Sequence, residues 1–239
     1  MHNNHMRDLY RRRRVGLIAT CLIMLTGFVI ATIISTTESS APPAVAINAQ
    51  SSGTLALDAL STLPVKGRAP KTDYSRDQFG AGWATTLGCD TRNIILNRDL
   101  SGVVIDEKCN VISGTLNDPY TGKMISFKRG SGTSDDVQID HVVALSDAWQ
   151  KGAQQLSHDT RVLLANDPLE LLAVDGPANQ EKSDGDAASW LPSYKPFRCQ
   201  YVARQIAVKQ KYSLWVTDSE ATAMRTVLSG CSMQALPIK

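Results

Sequence analysis

Histidine is scarce in this chain, and the scarcity bounds its chemistry more tightly than any other feature of composition. Four occur in 239 residues, and His2 and His5 lie ahead of a long apolar run. His141 and His158 are left for the body of the protein, too few for a histidine-rich zinc site. Cysteine is sparse too. Of five, Cys21 falls inside the apolar run, and Cys89, Cys109, Cys199 and Cys231 contain no C-x-x-C pair. A zinc site from those four is therefore the weaker alternative to two disulfides. Excess charge is also lacking. Setting aside Arg7, Arg11 to Arg14 and Asp8 leaves 20 basic against 22 acidic residues in the rest of the chain. A near-neutral body has no global pull on polyanions, so any such affinity must be local. No internal repeat or heptad pattern is found.

The N-terminus carries what the body lacks. Residues 1–14 are basic, and Arg11 to Arg14 precede Val15 to Ile34, an uncharged, mostly apolar run of 20 residues. At ~1.5 Å per residue this run spans a ~30 Å hydrocarbon core. It is expected to be a transmembrane anchor, with the arginines in the cytoplasm and the domain outside. A signal peptide cleaved after Ala46, at Ala44-Val45-Ala46, is the competing reading. The run exceeds the ~7–15 residues of a signal core, which favours the anchor. Both readings export the body, either anchored or secreted. Residues 35–63, rich in Ser, Thr, Ala and Pro, are expected to be a tether with a short helix near Thr54 to Leu63. The domain is placed at 64–239. In the oxidising compartment its four cysteines admit three pairings, and proximity favours Cys89–Cys109 and Cys199–Cys231.

Hydrophobic patterning gives an α+β class. Helices are expected over Asp90 to Asp99, Ser146 to Gly152, Asp159 to Leu164, Cys199 to Tyr212 and Thr217 to Leu228. Strands are expected over Val103 to Ile105, Asn110 to Leu116, Lys123 to Phe127, Val137 to Leu145 and Leu169 to Val174. Asn117-Asp-Pro-Tyr-Thr-Gly122 supplies turn chemistry, and Pro177 opens a short helix carrying Asn179 and Lys182.

The residues that carry chemistry are Asp140 and His141 on a strand, answered by Asn179 and Lys182 on that helix. A carboxylate and an amide oxygen suit a hard divalent cation, and an imidazole can activate water. Taken singly, each has a plainer reading. An Asp-His pair is more often a surface pair, Asn179 a helix-start residue and Lys182 a solvated charge. His158 reads as an exposed residue at a helix start, and Glu181 as a solvated face.

The combination is more specific. Asp140-His-Val-Val-Ala-Leu145, Leu169-Glu-Leu-Leu-Ala-Val-Asp-Gly176 and Ala178-Asn-Gln-Glu-Lys182 resemble HNH endonucleases of the ββα-metal (His-Me finger) fold. More narrowly, they resemble the exported DUF1524 type. Gly88 to Asn93, Asn97 to Leu100 and Trp190 to Pro192 extend the resemblance over most of Tyr74 to Cys231. It implies a ββα-metal core with additional helices. His141 would be the general base, Asp140 and Asn179 would hold the metal, and Lys182 would steady a phosphate. Two protein ligands with several waters suit Mg²⁺, with Mn²⁺ as the alternative. One departure stands out: the middle Asn of the HNH pattern is Glu170 here, a carboxylate that could accept a hydrogen bond from the base and raise its pKa, or point away.

Two further clusters carry open readings. Lys195, Arg198, Arg204, Lys209 and Lys211 are interleaved with Tyr194, Phe197, Tyr201, Tyr212 and Trp215, either as a phosphate-and-base patch or as an ordinary packed helix. Arg92 and Arg98, near Asp90 and Asp99, are either substrate contacts or part of an ion-pair network. The expected activity is a metal-dependent endonuclease outside the cytoplasmic membrane, with nucleic acid as partner, DNA ahead of RNA. No protein partner is expected. The alternatives are a non-catalytic extracellular nucleic-acid- or partner-binding protein, and hydrolysis of another exported phosphodiester.

Overall fold

A computed structural model describes residues 53–237 and contains seven strands and seven α-helices there, the short strands at 85–86 and 89–90 being additional to the expected five. The basic N-terminus, the apolar run 15–34, Ala46 and the tether as far as residue 52 lie outside the described residues. Among the described residues no helix is long and apolar enough to cross a membrane.

Helix α1 (Ala56–Thr62) is the short helix expected near Thr54 to Leu63, packed on the body where a flexible tether was expected. Ala56, Ala59, Leu60 and Leu63 are buried in the larger core, and Leu55 forms a bridge with Ala235. Its apolar residues recur three and four apart, which gives even this short helix a face to bury. The folded body therefore takes in residues 55–63 as well.

Strands β1 (Thr85–Thr86) and β2 (Cys89–Asp90) form a small hairpin that leads into α2 (Thr91–Asp99), whose first turn is capped by the Asp90 carboxylate accepting from Asn93 N at 2.7 Å. An antiparallel sheet follows: β3 (Leu100–Ile105), β4 (Val111–Asn117) and β5 (Met124–Lys128), with the Asn117 to Gly122 turn joining the last two. Strand β6 (Val137–His141) pairs antiparallel with β7 (Leu171–Asp175), matching Asp140 to Leu172 and His141 to Leu171. Between them lie α3 (Leu145–Gln150) and α4 (His158–Ala165). Helix α5 (Gly176–Lys182) leaves β7 directly, capped by Asp175 with Pro177 in its first turn. Helices α6 (Arg198–Lys211) and α7 (Asp218–Ser229) close the body.

The β6–β7 hairpin divides two cores. Val137, Ile139, Leu171 and Ala173 face a smaller core with Ile95, Leu96, Leu116 and Phe127. Leu172 and Val174 face the helical core. Strand side chains alternate in this way, so Asp140 and His141 leave β6 on opposite sides. Position 176 must be glycine: a Cβ there would lie 2.0 Å from Asp135 O, where α5 starts against the loop before β6.

Two disulfides pin the periphery, Cys89 to Cys109 and Cys199 to Cys231. A buried ion network ties the helices together. Lys151 Nζ meets Asp147, Asp186 and Glu220 at 2.7, 2.7 and 2.6 Å, and Lys209 Nζ meets Glu220 at 3.0 Å. Arg68 completes it on Asp147 and Asp186. Three cations face three carboxylates, so the cluster is neutral. Removing one member would strand a buried charge at a cost of ~3–5 kcal/mol.

Candidate active site

On one face of β6, Gln138 and Asp140 meet Asn179 and Lys182 of α5. Two-residue spacing on a strand places the first pair side by side, and three-residue spacing on a helix does the same for the second. Lys182 Nζ donates to Asp140 Oδ1 at 2.9 Å and to the His141 carbonyl at 2.9 Å. Asn179 Nδ2 donates to Gln138 Oε1 at 2.9 Å. The second Asp140 oxygen accepts from the Tyr120 hydroxyl. Tyr120 is fully buried against Trp190, Phe197 and Tyr201. Burial raises the Asp140 carboxyl above the usual range, while Lys182 and Tyr120 pull it back down. Burial, with the Asp140 charge beside it, also raises the Tyr120 phenol, which stays a neutral donor.

On the opposite face, His141 lies in a recess of about 190 Å³ lined by Arg76, Phe79, Gly80, Gly82, Trp83 and Ala165 among others. The Trp83 ring stacks on the imidazole at 5.7 Å with 7° between planes. His141 Nε2 lies 3.0 Å from Ala165 O. A carbonyl oxygen only accepts, so Nε2 carries the proton and Nδ1 presents the lone pair. Burial, then the Arg76 and Lys182 charges, hold the imidazole pKa down to about 3, against the bond to Ala165 O. The ring is therefore neutral near pH 7.

Glu170 is fully buried. It does not meet the imidazole: its Oε2 accepts from Val143 N at 3.2 Å, and its backbone carbonyl accepts from Val142 N at 2.9 Å. It braces the loop that follows His141. Burial, reinforced by Asp140, raises its pKa well above the usual carboxylate range, against the bond from Val143 N.

Several expected contacts go elsewhere. Arg98 binds the carbonyls of Pro168 and Leu171, at 2.7 Å each, and Asp99. Arg204 binds the carbonyls of Leu169 and Pro168 at 2.6 and 2.9 Å. Arg92 reaches the carbonyls of Ser134 and Val137. All three tie backbone together, and none lines the His141 recess. The basic and aromatic interleaving of 187–217 also disperses: Lys209 sits in the ion network, Lys211 pairs with Asp167 at 2.6 Å, and Tyr201 and Trp215 are buried. His158 is exposed at the start of α4. Tyr120, Trp83, Arg76 and Gln138 were not among the expected site residues. Tyr120 was masked by its place in a turn motif, and an Arg and a Trp ahead of the motifs carry no spacing signal.

The oxygen donors at the α5 corner are one carboxylate, Asp140, and the amides of Gln138 and Asn179. The chemistry of this set is hard, offering oxygen and nothing to a soft metal, and both Asp140 oxygens are engaged, by Lys182 and by Tyr120. Among the described residues no cluster of three or more His, Cys, Asp or Glu side chains could hold a metal.

Comparison with known proteins gives two findings. Residues 90–227 match the family model of the C-terminal domain of GmrSD restriction endonucleases. An uncharacterized secreted protein of Arthroderma benhamiae is 38% identical over 183 residues, covering 75% of this chain and 86% of that protein. No solved structure matches.

Proposed function

Because the chain belongs to the family of the GmrSD restriction endonuclease C-terminal domain, we propose that it is a metal-dependent endonuclease of HNH type, acting on nucleic acid outside the cytoplasmic membrane. The observation that carries this reading is the neutral His141 ring, its proton fixed on Nε2 and its Nδ1 lone pair available in a recess. Two antiparallel strands followed directly by α5 support a ββα-metal core. The secreted relative supports export.

In this mechanism His141 Nδ1 takes a proton from the attacking water. Trp83 holds the ring plane and Ala165 O holds the tautomer. Asp140 and Asn179 would hold the cation, probed first as Mg²⁺ and then as Mn²⁺. When bound, it would polarise the scissile phosphate and offset charge on the leaving oxygen. Lys182, buried with its ammonium on Asp140 and the His141 carbonyl, balances the Asp140 charge and holds the strand end in place. Tyr120 keeps the carboxylate in place throughout. Glu170 fixes the loop after His141, at the place of the middle Asn of the HNH pattern.

The test is nicking of plasmid DNA by the full-length chain in detergent, with disulfides formed and Mg²⁺ or Mn²⁺ supplied. Cleavage that EDTA and His141→Ala each abolish is the expected result. Intact plasmid from a well-folded sample would point to a binding protein or to a different exported phosphodiester.

A further inference from the structure

The recess beside His141 has a wall that the family match does not reach. Residues 76–83 precede the matched segment 90–227. They are firmly seated: Phe79 is 2% exposed in the larger core, and Arg161 donates to the Gln78 carbonyl at 2.8 Å and to Gln78 Oε1 at 2.9 Å. Ala84 N donates to Asn166 Oδ1 at 2.8 Å on the far side. Gly80, at φ 101°, turns the chain between these anchors where a side chain would be strained.

Arg76 stands out on this wall. Arg68, Arg98, Lys151, Lys182, Lys209 and Lys211 each hold a carboxylate. Arg92 and Arg204 hold backbone carbonyls. Arg76 forms no ion pair or side-chain hydrogen bond among the described residues, yet lines the same recess as His141. Its charge is felt at the imidazole.

We propose that Arg76 is the substrate-phosphate anchor of this recess, seating one phosphodiester group between its guanidinium and His141, beside the Trp83 indole. The inference rests on reading the site as a phosphodiesterase. A guanidinium presents paired donors to two phosphate oxygens at once. The recess of about 190 Å³ takes a single phosphodiester linkage. Contacts to phosphate position the backbone and carry no base information, so this wall confers no sequence preference.

The experiment compares the full-length wild type with Arg76→Ala, Arg76→Lys and Asp77→Asn, measuring KM and kcat on a DNA oligonucleotide with Mg²⁺. Arg76 is exposed, so its variants should melt as the wild type does. Arg76→Ala should raise KM ~10–100-fold, the worth of a charge-assisted bond to phosphate. Arg76→Lys should fall between, keeping the charge and losing the fork. Asp77→Asn, which removes a negative charge from the same rim, should bind no more weakly. Equal KM for Arg76→Ala and wild type, or an equal loss with Asp77→Asn, would overturn the assignment while leaving His141-dependent cleavage intact. If the wild type does not cut, the nuclease reading fails separately. Calorimetric titration with the dinucleoside monophosphate of thymidine then decides. Weaker binding by Arg76→Ala supports the anchor; equal binding, or none by the wild type, removes it.

Discussion

The two faces of the β6–β7 hairpin treat charge in opposite ways. On the α5 side, Asp140 has both oxygens taken, one by the buried Lys182 ammonium and one by Tyr120. On the recess side, His141 is neutral, holds one backbone carbonyl and faces an arginine without a carboxylate partner among the described residues. The first face is balanced and positions its groups. The second is poised to receive an anion and a water. Adjacent residues can serve such different ends because neighbouring strand side chains point apart.

The largest way to break this contrast is Asp140→Ala, which strands the Lys182 ammonium in a buried site. It should cost ~3–5 kcal/mol in chemical denaturation. Stability equal to wild type would mean that the α5 face is not held by this pair.

Next in size is a pH effect from the recess side. The folded imidazole pKa is about 3, below the ordinary 6.5. A base with a depressed folded pKa binds protons mainly when unfolded, so its contribution is complete above pH 6.5. It is lost as pH falls toward 3, by up to about 1.4 kcal/mol per pH unit. His141→Asn should flatten the stability curve of the folded protein in that window, and an unchanged slope would place the ring in water.

A smaller effect separates metal from substrate. Asn179→Ala should raise the Mg²⁺ concentration needed for half-maximal cleavage by roughly tenfold, about 1.4 kcal/mol, with oligonucleotide affinity unchanged. Loss of both together would place Asn179 on the substrate path.

The smallest concerns Glu170. Its folded pKa is raised, so its stabilising contribution is present below the unfolded value and is lost as pH rises. Glu170→Gln keeps the acceptor for Val143 N without needing a proton. It should be neutral to stabilising at pH 7, on the order of 1 kcal/mol, with the gain growing at higher pH. Destabilisation instead would show that the site tolerates a carboxyl better than an amide, whose NH2 would be buried at the unpartnered Oε1 position.

Much of this arrangement was legible in the sequence, because it follows from local rules. Apolar runs marked β6 and β7, though β6 ends at His141 and Leu145 opens a helix. Pro177 marked the start of α5, and three-residue spacing put Asn179 and Lys182 on one helix face. The disulfide partners were close enough in sequence for proximity to favour them. Long-range packing was not legible. Tyr120 looked like turn chemistry in Asp-Pro-Tyr-Thr-Gly, yet the turn delivers its hydroxyl to Asp140 from a distant segment. Arg98 and Arg204 stood open between substrate contact and structural roles, because nothing local shows that three carbonyls of residues 168–171 need donors. The helix at 56–62 was legible as a helix, but its small residues hid the face it buries against the body. Glu170 was open in sequence, and only the fold shows that it braces the loop and not the ring.

The most direct single measurement is a Mg²⁺ titration of His141→Ala beside wild type, following metal binding by calorimetry and plasmid nicking in the same samples. If the faces do separate work, the variant binds Mg²⁺ with wild-type affinity and cuts slower by ~10²–10⁴-fold, the worth of a positioned general base. Cleavage at the wild-type rate, or a metal affinity that falls with the histidine, would contradict the division of labour proposed for the two faces.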